Sequence, residues 1–219
     1  TLVVTWFGDD LRAGVCRVRP GVERREKPTL PLSWEVSGRT REDAWLVSAE
    51  EGRPNYGGTP SDASVIAAIR ELKARGYEVA LLPFLMMDVP AGSGRPDPWS
   101  DDEQPAFSWR GRLTCHPAPG RPGSPDGTAT AGEQVRAFFG AAEPEHVVVD
   151  GERVSWAGPD DFGWRRQVLH YARLAGVAGG VDAFLIGTEF AALTKVREAP
   201  GVYPAVAELK RLAADARAI

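Results

Sequence analysis

The sequence is short of the residues that hold metals and cross-links, with 2 cysteines and 3 histidines in 219 residues. Cys16 and Cys115 lie far apart and match no metal-ligand spacing, so two buried thiols and one disulfide both fit. His116 and His146 have no partner at ligand spacing, and His170 falls inside the helical pattern around Gln167 to Tyr171, so no metal site is expected. Long apolar runs are also missing. Nothing approaches the roughly 18–20 residues needed to span a bilayer, so no membrane span is expected. Blocks of positive charge are absent: 26 Lys+Arg stand against 30 Asp+Glu, a formal charge of −4. That balance argues against a nucleic-acid partner. There is no GxGxxG, no GxxxxGKS/T and no GxSxG, and Gly57-Gly58 and Gly179-Gly180 resemble phosphate loops only in their glycine. No cofactor is expected.

What is present belongs to a globular chain. Hydrophobic residues at 43% and charged residues at 26% sit near the averages for folded soluble proteins, which excludes disordered, collagenous and disulfide-scaffold classes. The length allows one large domain or two small ones, at roughly 100–200 residues per domain. With 7 Trp and 18 Pro, the chain is aromatic and loop-rich, as sugar- and peptide-binding proteins often are.

Thr1 to Phe7 reads as a buried strand. Thr59-Pro60-Ser61-Asp62 has the form of a capping box with Thr59 as the cap, followed by an apolar stripe of Val65, Ile66, Ile69 and Leu72 and a stop at Gly76. Glu78 to Met87 then suits a strand buried on both faces of a parallel sheet, with Pro83 as the one objection. The pattern repeats. Asp161 to Ala175 places Trp164, Val168, Tyr171, Ala172 and Ala175 on one helix face, Gly179-Gly180 ends it, and Val181 to Ile186 is the next strand. Tyr203-Pro204 opens a last helix with Val206, Leu209, Leu212, Ala213 and Ala216 on one face. Alternating strands and helices predict right-handed βαβ units and an α/β fold. Because the chain opens directly on a strand and stops after a helix, an internal segment of a longer protein is expected.

Two excursions rich in Gly, Pro and charge, about 8–58 and 88–160, interrupt this scaffold. The second is predicted to hold a short helix, Glu133 to Phe139, and a hairpin of Val147 to Val149 and Arg153 to Trp156 around Asp150-Gly151. Loops that follow parallel strands gather at the carboxyl edge of the sheet, where α/β proteins keep their sites. Three strands end there in carboxylates: Asp9-Asp10, Asp88 and Glu189. Glu189 follows an apolar run and Gly187-Thr188, a half-buried edge where desolvation suits a general acid; the competing reading is a Glu facing a helix N-terminus. Asp88-Val89-Pro90 also fits a plain strand-exit turn, and Asp9-Asp10 also fits pairing with arginines such as Arg12. In the segment from Pro105 to Arg112, with Trp99 upstream, Phe107, Trp109, Arg110 and Arg112 offer flat faces and guanidinium donors for sugar rings, or anchors for the loop itself.

Several blocks in order resemble one family. They are Trp6-Phe7-Gly8-Asp9-Asp10-Leu11-Arg12, Tyr56 to Asp62, Pro83 to Asp88, Trp109-Arg110-Gly111-Arg112, Leu169-His170-Tyr171-Ala172 and Gly179 to Gly187. They resemble the TIM-barrel-like domain of gene transfer agent tail proteins, the host-specificity or baseplate megatron proteins of phage-like particles, a domain similar to clan A glycoside hydrolases. The resemblance implies a partial (β/α)8 barrel, about strands two to four with their helices, carrying the two long insertions in a single 1–219 domain fragment. It implies a tail protein made in the cytoplasm and acting at the host cell envelope. Its implied partners are a polysaccharide substrate or receptor and other tail or baseplate proteins. In retaining glycosidases of this superfamily the acid/base Glu closes the fourth strand, and Gly187-Thr188-Glu189 is similar to the motif of a β-mannanase-like branch. Thr188 departs from the Asn that many relatives use at the substrate 2-hydroxyl. Glu189 is therefore the implied catalytic residue, with Trp6, Asp9, Asp10, Asp88, Trp109, Arg110 and Thr188 as substrate-binding candidates. The nucleophile belongs to the seventh strand, beyond this chain, so the chain alone is expected to be inactive and, with open strand edges, poorly soluble or oligomeric. A structural or host-adhesion module that kept the fold and lost the reaction is the alternative.

Overall fold

A computed structural model describes residues 1–219. Its central sheet is mixed. Strands β1 (Leu2–Gly8), β3 (Ala80–Met87) and β6 (Ala183–Phe184) run parallel in the order β6-β3-β1, and the two-residue β2 (Val18–Arg19) pairs antiparallel on the far edge of β1. The sheet does not close into a barrel. The edge of β1 is instead partly filled by the chain's own β2, which pairs only with Phe7 and Gly8.

Helix α1 (Asp62–Ala74) links β1 to β3, and α3 (Trp164–Val177) links β3 to β6. Ser61 caps α1, its hydroxyl accepting from the Ser64 N–H at 3.3 Å. Thr59, expected as the cap, is used elsewhere: its hydroxyl donates to the Thr5 carbonyl at 2.7 Å and accepts from the Gly21 N–H at 2.9 Å. Two residues with the same capping chemistry stand close together, and the tertiary partners of Thr59 decide between them. Gly76 adopts φ +81° and closes the helix through bonds from Gly76 N–H to Lys73 and from Tyr77 N–H to Leu72.

Pro83 sits inside β3 without harm. Carbonyls of Val79 and Leu81 face β6, so Pro83 faces that side too, and β6 has ended by then. The predicted strand over Val181 to Ile186 shortens to Ala183–Phe184 because it pairs on one side only. Leu2, Val4 and Trp6 of β1 share a face with Leu81, Pro83 and Leu85 of β3, and this face is covered by helices. On the opposite face Thr5, Leu82, Phe84 and Met86 are half-buried, while Val3 and Leu185 are exposed.

The second insertion supplies α2 (Ala129–Phe139), four residues longer at its start than predicted, and a hairpin of β4 (Val147–Asp150) and β5 (Arg153–Trp156). Helix α4 (Pro204–Ala218) buries Pro204, Ala205 and Leu212, whereas Val206, expected in its apolar stripe, faces solvent. Both cysteines are free and buried.

Helix α3 is covered on nearly every side, since α1, α2, α4 and the hairpin all pack around it. Its buried polar residues each bind a different neighbour. Gln167 donates to the Phe84 and Val4 carbonyls at 3.0 and 3.3 Å, and Arg165 reaches Asp215 at 2.6 Å and the Ala142 carbonyl at 2.8 Å. The Arg166 guanidinium lies 4.3 Å from the Trp156 ring and 4.2 Å from the Phe162 ring, and burial pulls it down to about 10. His170 Nε2 lies 2.8 Å from the Asp62 carboxylate, tying α3 to the start of α1. Asp62→Ala strips this buried ring of its partner and is expected to cost about 1–3 kcal/mol in urea unfolding, while Asp62→Asn, which keeps an acceptor, recovers most of it.

Candidate functional site

The carboxyl ends of β1, β3 and β6 form one rim. Asp9, Asp10 and Asp88 follow β1 and β3 directly, whereas Glu189, expected to close its strand, stands in irregular chain beyond the end of β6 at Phe184. Each of these carboxylates reaches into an insertion. Asp9 accepts from the Arg17 N–H at 2.9 Å and pairs with Arg19 at 2.5 Å. Asp10 is buried and receives Arg12 through its side chain, at 2.6 and 2.9 Å, and its N–H at 2.8 Å, together with Gln104 at 2.7 Å. Burial alone would raise the Asp10 carboxyl, but these bonds from Arg12 and Gln104 outweigh it and hold it below the usual carboxylate range. Asp88 is fully buried and accepts from Trp45 Nε1 at 2.8 Å and the Ser48 N–H at 3.0 Å.

Glu189 differs from these three. Its carboxylate accepts from Trp109 Nε1 at 2.6 Å and pairs with Arg110 Nη2 at 2.7 Å, yet its side chain is 48% exposed. The local chain explains how. Phe190, the next residue, is buried against Phe138 and Trp164, and the left-handed backbone of Glu189, φ +53°, turns its carboxylate outward. Trp164 Nε1 holds the preceding Ile186 carbonyl at 2.9 Å. Thr188 is half-buried between them.

Four non-glycine residues have positive φ. Ser37 and Glu51 precede Gly38 and Gly52 in tight two-residue hairpins, where such φ values are required. Phe107, at +55°, is the second central residue of an Ala106-Phe107 turn, whereas Glu189 lies in no turn; both belong to this rim. A left-handed non-glycine residue outside any turn, as at Glu189, is the kind of strain that functional sites hold. Phe107 is 56% exposed, packs edge-on against Tyr56, and stands two residues before Trp109, itself 51% exposed. Arg110 lies 3.8 Å over the Phe84 ring, where burial lowers its guanidinium and Glu189 opposes that shift. Gly111 leaves room for the Trp109 indole, because a Cβ there would overlap the ring.

The structure therefore brings together Glu189, Trp109 and Arg110 from the sequence candidates, with Thr188 alongside. Trp6 is not part of the rim. Strand alternation turns it to the helix-covered face, where it is 0% exposed and its Nε1 donates to the Tyr171 hydroxyl at 3.2 Å, so it packs the core and offers no ring to a ligand. Asp9, Asp10 and Asp88 are held by other partners. Sequence reasoning missed Phe84 as the platform under Arg110, Gln104 as a partner of Asp10 and Gly111 as the seat of Trp109. A glycine between two arginines after tryptophan was the available signal for the last. With Phe107, Trp109 and the Glu189 side chain all about half-exposed, the site is an open aromatic shelf. No three His, Cys, Asp or Glu side chains come together as a metal cage.

Residues 162–219 match the family model of the GTA TIM-barrel-like domain, a span that carries α3, β6, Glu189 and α4. No curated protein matches the chain.

Gly111→Ala is expected to push the Trp109 indole off its seat, read as a change in tryptophan emission without loss of helical circular dichroism. The lowered Asp10 value sets a pH dependence. Its stabilisation is complete above the unfolded Asp value of about 3.9 and is lost as pH falls through the lower native value. Asp10→Asn is expected to cost about 1–3 kcal/mol at neutral pH in thermal or urea unfolding, the gap from the parent closing under strong acid.

Proposed function

We propose that this chain is part of a (β/α)8-type barrel module of a phage-like, gene-transfer-agent tail or baseplate, and that its carboxyl rim receives a bacterial cell-envelope polysaccharide. The parallel β1, β3 and β6 with α1 and α3 as crossovers support a partial barrel, and the family match supports the particle context. The observation that carries the ligand class is the convergence of Trp109, Arg110 and Glu189 beside exposed Phe107. Flat apolar rings stack on the C–H faces of sugars, and charged donors and acceptors at their edge take the hydroxyls. Such a module works at the host envelope, alongside other tail or baseplate proteins.

Within this reading Glu189 is the acid/base of a retaining glycoside hydrolase. It protonates the leaving glycosidic oxygen and later activates water. That chemistry needs a second carboxylate about 5–5.5 Å away. A specific observation favours the non-catalytic, host-adhesion reading for the chain by itself: Asp9, Asp10 and Asp88 are each committed to other partners, and Glu189 is ion-paired to Arg110.

The test uses purified capsule and peptidoglycan from a host bacterium, with sedimentation for binding and a reducing-end assay for cleavage. The chain is expected to bind one of these glycans, and Trp109→Ala to weaken binding on the order of tenfold, the loss of one good stacking contact. New reducing ends that vanish in Glu189→Gln establish hydrolysis. Binding without new ends establishes adhesion, and no binding to either glycan contradicts the proposal.

A further inference from the structure

Trp109 and Arg110 are consecutive in sequence, yet their donors meet at one point. Trp109 Nε1 and Arg110 Nη2 lie 2.6 and 2.7 Å from the same Glu189 oxygen, Oε2. Two N–H donors converging on one oxygen define a position for an anion. The two sides of the contact are held very differently. Arg110 is 9% exposed, rests on the Phe84 ring, and has a buried Nε without a partner. Trp109 is seated on Gly111, and the Gly111 carbonyl is fixed by the Ala192 N–H at 3.1 Å. Glu189, by contrast, is half-exposed on a left-handed backbone. A buried guanidinium and an indole N–H aimed together at a half-exposed carboxylate are the parts of an anion site occupied by an internal stand-in.

Building on the reading of this rim as a polysaccharide site, we propose that Trp109 and Arg110 bind the carboxylate of an acidic sugar, which replaces the Glu189 carboxylate and frees it. The exchange is selective by electrostatics. One carboxylate replacing another keeps the buried guanidinium paired, whereas a neutral hydroxyl would leave that cation uncompensated. The exposed faces of Phe107 and Trp109 hold the ring of the sugar while its carboxylate turns down to Arg110. Glu189, once released, points to the bound glycan with no internal partner, which is the state an acid/base group needs.

The probes are a hexamer of galacturonic acid and the same hexamer with its carboxyls reduced to primary alcohols, titrated calorimetrically into the full chain at low salt. The acidic probe is expected to bind at least tenfold more tightly, with the difference shrinking as salt rises. Glu189→Gln removes the internal competitor and is expected to widen that ratio several-fold. Arg110→Gln is expected to bring the ratio close to one, with circular dichroism reporting whether the variant is folded. Should it unfold, Glu189→Gln decides alone: an unchanged or smaller ratio overturns the proposal. Equal binding of both probes by the parent chain also overturns it and leaves the polysaccharide reading standing. Binding of neither probe overturns the acidic-sugar proposal alone, because the polysaccharide reading is decided by capsule and peptidoglycan.

Discussion

A carboxylate at the end of a buried strand has to be solvated by something, and here the two insertions do it. Asp88 ends β3 fully buried and is met by Trp45 and Ser48 of the first insertion. Asp10 follows β1 and is met by Arg12 and by Gln104 of the second. Glu189 follows β6 and is met by Trp109 and Arg110, again of the second. An uncompensated buried carboxylate is costly enough to outweigh much of the entropy of ordering the loop that satisfies it. Segments of this length would otherwise be mobile, and the acids make them a defined surface over the sheet edge.

The same logic organises the layer behind the sheet. Helix α3 lies beneath the insertions and can no longer show solvent a polar face, so its Arg165, Arg166, Gln167 and His170 find partners in α4, the hairpin, the sheet and α1. These contacts orient the α3–β6 unit and set where Glu189 emerges. Its exit is completed by one apolar event, the burial of Phe190, which forces the left-handed turn that presents the carboxylate.

Periodicity was enough to read β1 and α1, whose apolar spacing reflects one buried face each. The run of β3 suggested two buried faces where one is only half-buried, and the stripe of α3 did not show that its polar side is covered as well. It failed where tertiary partners overrode local chemistry. Thr59 and Ser61 have equal capping ability, and only the approach of Gly21 and Thr5 assigns the cap to Ser61. Val206 fits an apolar stripe, but no neighbour covers that side of α4. Trp6 was a substrate-binding candidate by family resemblance, yet alternation sends it to the helices and leaves the rim to residues far along the chain. Glu189, Trp109 and Arg110 were each legible as chemistry-bearing residues. That their polar atoms meet across 80 positions of sequence was not, since no local pattern encodes a contact between two loops.

The central claim is that each strand-end acid fixes a particular stretch of insertion, and amide hydrogen exchange measured on Asp88→Ala and Glu189→Ala side by side tests it most directly. Asp88→Ala is predicted to speed exchange at Ser48 and Asn55 while Arg112 and Leu113 keep their protection. Glu189→Ala is predicted to do the reverse, loosening Arg112 and Leu113 and sparing Ser48 and Asn55. A uniform rise over the whole chain in both variants, or no change in either, would contradict the account.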